Sequence, residues 1–175
     1  WTSLSRFCGY GSFLTITGSF DEYQKRLSKK YARNLRRLGR KIGELEDVEF
    51  VFLKGKDARP QEMERLLKVE AANWKGRRGT AMAQSEDKTA FHRTLTERLF
   101  EDGRLEWHFL CVGNRTLAGH LAIRQGGDLI VLKIGYDESY SSYSPGTLLF
   151  ERMIRRAHDE EGIAEKVLAS ARELT

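Results

Sequence analysis

An α+β domain, built as a mixed and largely antiparallel sheet covered by helices, is predicted by the order in which residue patterns follow one another. Three observations carry that expectation. Apolar residues recur at three- and four-residue steps from Phe20 to Leu45, the stripe of an amphipathic helix. From Leu105 onward, apolar and polar residues alternate and are punctuated by glycine turns, the pattern of a meander. Last, the segment from Asp128 to Ala157 reads as strand, loop and helix.

Each element has its own signal. Ser19 and Glu22 have capping-box spacing, so a helix is expected to start at Phe20 and continue to Ile42, with Gly43 as a weak stop. Val48 to Leu53 reads as a short strand, bounded by Lys54-Gly55-Lys56. Pro60 suits the first position of a second helix reaching Trp74, with Met63, Leu66, Leu67 and Ala71 on its apolar face. A third helix is expected between Ser85 and Gly103, with Phe91, Leu95 and Leu99 turned inward. Leu105, Trp107, Phe109 and Cys111 alternate with Glu106, His108 and Leu110, as in a half-buried strand that turns at Gly113-Asn114. Leu117 to Arg124 returns, and Leu129 onward forms the central strand after the turn at Gln125-Gly126-Gly127-Asp128. A helix from Pro145 to about Glu160 packs back through Leu148, Leu149, Met153, Ile154 and Ala157, and Ala164 to Leu174 also reads as helical.

The 175 residues are one domain's worth, and residues 1–175 are read as a single, partial domain cut from a longer chain, since Trp1 is not an initiator Met. An apolar fraction of 40% and a charged fraction of 31% are globular values, which excludes a disordered chain. No apolar run approaches the roughly 20 residues of a bilayer span, and no signal peptide is recognisable. Cys8 and Cys111 make neither a disulfide framework nor a metal-ligand spacing, so a cytoplasmic, metal-free protein is expected. The net charge of +5 is concentrated between Lys25 and Lys41. Such a cluster is a solvated helix face or an attractor of polyanions.

Candidate chemistry collects at the ends of predicted elements. Ser144-Pro145-Gly146-Thr147 opens a helix directly after a strand and a Ser/Tyr-rich loop, which makes an anion site from free backbone N–H groups. Glu70 falls on the apolar face of its helix, where a carboxylate is rarely found without a partner or a task. Asp137 stands just past the central strand, as a base or as a turn residue bonding its own backbone. His108 and His120 lie on partner strands of one hairpin, with a register that decides whether they meet. Tyr136, Tyr140 and Tyr143 offer phenols or packing surface.

The run GYDESYSSYSPGTLL resembles the signature of the CelD-like branch of the GNAT acyltransferase superfamily, linked to cellulose and other exopolysaccharide biosynthesis. The basic segment YQKRLSKKYARNLRRLGRKI and EAANWKGRRGTA, with its Glu-x-x-x-Trp-Lys-Gly core, match the same branch in the same order, from about Phe20 to Gly162. The resemblance implies a GNAT-like fold and transfer of an acyl group, acetyl or another, from coenzyme A to an amine or hydroxyl of a saccharide or cell-envelope precursor. It implies Ser144, Gly146 and Thr147 for donor phosphate, Glu70 and Asp137 for base or acceptor work, and Trp74, Lys75 and Tyr136 for substrate binding. Only Gly146 remains of the glycines usual in that phosphate loop. Two alternatives stay open: a Fem-like transferase that uses aminoacyl-tRNA, and a non-enzymatic module whose basic helix at residues 23–42 binds polyanions.

Overall fold

Ser19 caps the first helix as its sequence requires, accepting from the Glu22 N–H while Glu22 accepts from the Ser19 N–H at 2.9 Å. In this computed structural model, which describes residues 11–72, 85–159 and 166–170, that helix does not reach Ile42. It ends as α1 (Phe20–Arg26), and Ser28 caps a separate helix, α2 (Lys29–Ile42), by accepting from the Tyr31 N–H. The expected single helix is therefore corrected to two. An unbroken period of 3.6 conceals a two-residue step to extended backbone at Leu27 and Ser28, where ψ is 147° and 143°. A second, internal cap made the step possible.

Six strands form one sheet: β1 (Gly11–Thr15), β2 (Val48–Lys54), β3 (Leu105–Val112), β4 (Arg115–Gln125), β5 (Asp128–Tyr136) and β6 (Lys166–Ser170). Their spatial order is β1-β6-β5-β4-β3-β2. Every pairing is antiparallel except β5 with β6, so the sheet is mixed and largely antiparallel, as expected. Two elements differ from the sequence reading. β1 had no expectation attached to it, and β6 lies where a helix was expected. The apolar run Val167-Leu168-Ala169 suits either state, and pairing with Leu129 and its neighbours decides for strand.

Helices α3 (Met63–Ala71) and α4 (Glu86–Glu101) cover one face of the sheet. Beneath them lie Trp107, Phe109, Cys111 and Leu121. On the other face, α1, α2 and α5 (Pro145–Asp159) bury Leu110, Leu117, Ala118, Ala122 and Val131. All five residues expected inward on α5 are buried. Because helices cover both faces, β3 is buried on both sides from Leu105 to Cys111, not half-buried as its alternation suggested. On α4, Leu95 and Leu99 pack against the core as expected, but Phe91 is 61% exposed, and His92 and Thr96 are buried as well. Guanidiniums of Arg152, Arg155 and Arg156 lie over the rings of Phe50, Phe20 and Phe52, so the basic residues of α5 help pin it to its neighbours. Among the described residues, no helix is long and apolar enough to cross a membrane.

One close approach decides where the site forms. Gly119 on β4 and Gly135 on β5 are direct register partners beneath α3. A side chain at Gly119 would stand 3.2 Å from Leu66, and one at Gly135 would stand 3.2 Å from the backbone nitrogen of Glu70. Leu66 and Glu70 are four residues apart, hence on one face of α3. The glycine pair lets the helix sit directly on the sheet and brings Glu70 to the C-terminal end of β5.

Candidate active site at the end of the central strand

Consecutive residues of a strand point to opposite faces. Gly135 faces α3 and the 2%-exposed Glu70, so Tyr136 projects to the other face, where its ring comes within 4 Å of a Cβ built on Gly146. Glu70 and the start of α5 therefore flank the same strand end from opposite sides. Tyr136, Gly146 and Thr147 are brought together on one side, and Glu70 stands on the other. Trp74 and Lys75 lie outside the described residues.

The turn that starts α5 carries strained backbone. Ser144 sits where an N-cap belongs, its carbonyl accepting the first helical bond from the Leu148 N–H at 3.1 Å. Its backbone is left-handed, at φ 49° and ψ 54°, not the extended conformation of an ordinary cap. A non-glycine residue in that region costs free energy. Since Leu148 supplies the first bonded N–H and Pro145 has none, the N–H groups of Gly146 and Thr147 are left at the positive end of the helix. The space beside Gly146 is open enough for an ordinary contact and no more, at 3.7 Å from Tyr136.

Asp137 is held by its neighbours. One carboxylate oxygen accepts from the Ser139 N–H at 3.0 Å and its hydroxyl at 2.6 Å, while the other accepts from Arg115 Nε and Nη2 at 3.0 and 2.6 Å. Burial, which by itself raises the carboxyl, is outweighed by Ser139 and Arg115, and the Asp137 pKa lies below its ordinary value. Asp137 caps the 3-10 turn Glu138–Tyr143 that carries the chain to Ser144. The rings of Tyr140 and Tyr143 lie under two cations, Arg115 at 5.0 Å and Lys41 at 4.5 Å. Lys41 also donates to the Ser142 carbonyl at 3.2 Å, which joins the end of the basic helix to the turn.

Arg115 and Lys41 were missed in the sequence because their partners are remote in the chain. Arg115 is 22 residues from Asp137, and Lys41 is 101 residues from Ser142. His108 and His120, left open above, are direct partners across the β3–β4 hairpin.

A strand end, a strained turn and a helix N-terminus in this order have a counterpart among known families. The family described as Acetyltransferase (GNAT) domain matches residues 29–167. The chain belongs to the GNAT acetyltransferase family. It is thereby an enzyme of the GNAT type, and the family's donors are acyl-coenzyme A thioesters. No curated protein matches the chain at a significant level. Among solved structures, this GNAT domain is similar to FemX, with a TM-score of 0.65 at 10% identity, over 90% of this chain and 52% of that one. It is also similar to the C-terminal domain (DUF2156) of a putative lysylphosphatidylglycerol synthetase from Agrobacterium fabrum, with a TM-score of 0.56 at 10% identity, covering 91% and 48%. A conserved protein of unknown function from Bacteroides thetaiotaomicron gives a TM-score of 0.54 at 16% identity, covering 91% and 53%. At these identities the likeness is one of fold. The chain spans about half the length of each of the three.

Proposed function

We propose that this GNAT domain transfers an acyl group from a coenzyme A thioester to an amine or hydroxyl of a saccharide or cell-envelope precursor, in the manner of the CelD-like branch. The observation that carries this reading is the turn at residues 144–147. A left-handed Ser144 precedes a glycine without a side chain, and the N–H groups of Gly146 and Thr147 stand at the positive end of α5, beside the end of β5. Such groups hold phosphate without bringing a counter-charge of their own. The donor supplies an activated acyl group and leaves as a thiol. Glu70 is proposed to take the proton of the attacking amine or hydroxyl. Asp137, already committed to Ser139 and Arg115 and held in its ionised form, is proposed to fix the turn through which the donor is gripped. Tyr136 is proposed to line the substrate side beside Gly146, and Trp74 and Lys75 to contact the acceptor.

The turn is tested by two substitutions at Gly146. Its surroundings accept a Cβ at ordinary van der Waals distance, and its φ lies outside the left-handed region. Gly146→Ala is expected to fold and to keep coenzyme A affinity within about tenfold. Gly146→Glu brings bulk and like charge to the phosphate, and calorimetry is expected to show no binding. Unchanged affinity in Gly146→Glu would remove the turn from the site.

A second reading is favoured by one contact, that of Lys41 with the Ser142 carbonyl and the Tyr143 ring. It connects the donor turn to α2, whose Lys29, Lys30, Arg33, Arg36, Arg37, Arg40 and Lys41 are accompanied by no carboxylate. Like charges three and four residues apart weaken a helix, by about 0.2–0.5 kcal/mol per pair. A donor with a long phosphate backbone, such as aminoacyl-tRNA, would relieve that repulsion. Reversing Lys29, Arg33, Arg36 and Arg40 to Glu separates the readings. The coenzyme A reading expects donor affinity to survive the reversal and expects no specific tRNA binding by the native chain. Binding that resists competitor RNA and falls with salt, at a slope of about −0.7 per single-stranded phosphate contact, would support the tRNA donor instead.

A further inference from the structure

The sheet face under α5 holds buried polar side chains for which acyl transfer has no evident use. Glu106 and His108 stand two residues apart on β3 and point to the same face, and His120 lies directly opposite His108 on β4. All three are fully enclosed, at 0% exposure. Glu106 is satisfied: it accepts from His108 Nε2 at 3.0 Å, from Arg124 Nε, and from Arg156 of α5 at 3.5 Å. The histidines are not. Among the described residues, His108 Nδ1 and both ring nitrogens of His120 have no hydrogen-bond partner. The two rings meet edge to face at 5.7 Å, and His120 packs against Phe150 of α5 at 6.0 Å.

A neutral imidazole always presents one N–H donor and one bare acceptor, and no described residue meets either on the enclosed His120. An apolar side chain of the same shape would fill that space with less loss of stability. The surroundings also oppose a proton. Facing the pair are Glu106 from β3, Arg124 from β4 and Arg156 from α5. Phe52 from β2, Phe150 from α5 and Ile134, the register partner of His120 on β5, do not titrate. Among the described residues no group of three His, Cys, Asp or Glu side chains is arranged to hold a metal ion.

We propose that the His108–His120 pair is an acid-sensitive latch between the sheet and α5, and that proton uptake by the pair loosens α5 and with it the turn at its N-terminus. The hairpin beneath is held by its backbone ladder, whereas α5 is held by side chains, so α5 is the part that gives. Burial pushes both imidazoles below their ordinary pKa, His120 well below, with the neighbouring His108 adding to the effect. For His108, burial outweighs the opposing pull of Glu106. Once opened, the imidazoles regain a pKa of about 6.5 and take up protons that the closed form refuses. The latch is therefore complete above about pH 6.5 and weakens as pH falls below it, by up to about tenfold per unit and per histidine.

Amide hydrogen exchange on the full-length protein at pH 7.5 and 5.5 tests this, read as protection factors for α5 relative to α3 on the opposite face. In the native chain that ratio is expected to fall by about ten- to a hundredfold on acidification. In His120→Phe, and in the polar but non-titrating His120→Gln, the fall is expected to be about tenfold smaller. A ratio that does not change with pH in the native chain, or the same fall in every variant that folds, would overturn the latch. The link to donor binding rests on the function proposed above. Coenzyme A at saturation is expected to restore α5 protection at pH 5.5. No effect of coenzyme A at either pH would overturn that link and the proposed donor site together, while the ligand-free ratios still decide the latch.

Discussion

Glu70→Gln is expected to lower the turnover of acyl transfer by about 10²–10⁴-fold, the usual contribution of a positioned general base. The substitution keeps the volume of a side chain that is 2% exposed and seated against Gly135, so packing of α3 on the sheet is expected to survive. A base also serves the reacting complex more than the ground state, so the loss should fall on kcat with a smaller change in KM. Steady-state kinetics with a fixed acceptor and varied acetyl-coenzyme A, beside a urea unfolding curve, read both quantities. Full activity in Glu70→Gln would assign the carboxylate to structure. So would a variant whose unfolding midpoint collapses, because the lost turnover would then report lost fold.

Glu106→Gln is expected to produce a large loss of stability for so conservative a change. The carboxylate is completely enclosed and answers His108, Arg124 and Arg156 together. Burial alone would raise its pKa, yet the hydrogen bond from His108 and the hydrogen bond and charge of Arg124 hold it at about 2. Removing one member of a buried ionic group typically costs about 3–5 kcal/mol, because the charges left behind have lost both water and partner. That is a large share of the roughly 5–15 kcal/mol that holds a domain folded. Equilibrium urea unfolding at pH 7.5 should show the midpoint falling at constant slope. Because the folded pKa is depressed, this contribution is present in full above the ordinary value of 4.5 and is lost as pH falls toward about 2. A loss below about 1 kcal/mol would show that Arg124 and Arg156 recover their hydration without the carboxylate. Histidine protonation acts at higher pH and on different groups, so the two acid effects separate along a titration.

Local chemistry was legible wherever a few consecutive residues decide the outcome. Ser19 and Glu22 mark a helix start, Ser85 another, and Leu148, Leu149, Met153, Ile154 and Ala157 a helix face, and all of these stand in the structure. Hydrogen bonds between near neighbours and a periodicity of 3.6 carry that information within one turn or two. The motif around Ser144–Thr147 was legible for the same reason, as was the GNAT resemblance built on it. Where local signals were evenly balanced, tertiary contacts chose. Val167-Leu168-Ala169 became a strand because β5 offered an edge, and Phe91 stands exposed while the adjacent His92 is buried.

What only the tertiary structure decided are relations between residues far apart in the chain. That Gly135 admits Glu70 to the strand end, that Arg115 occupies Asp137, and that His108 meets His120 all depend on register and strand order. A one-residue slip would have reversed the last of these. Composition and periodicity state which faces are apolar, but many pairings satisfy the same pattern. The choice among them is made by close packing, where two glycines in register let a helix approach and any larger side chain would hold it away.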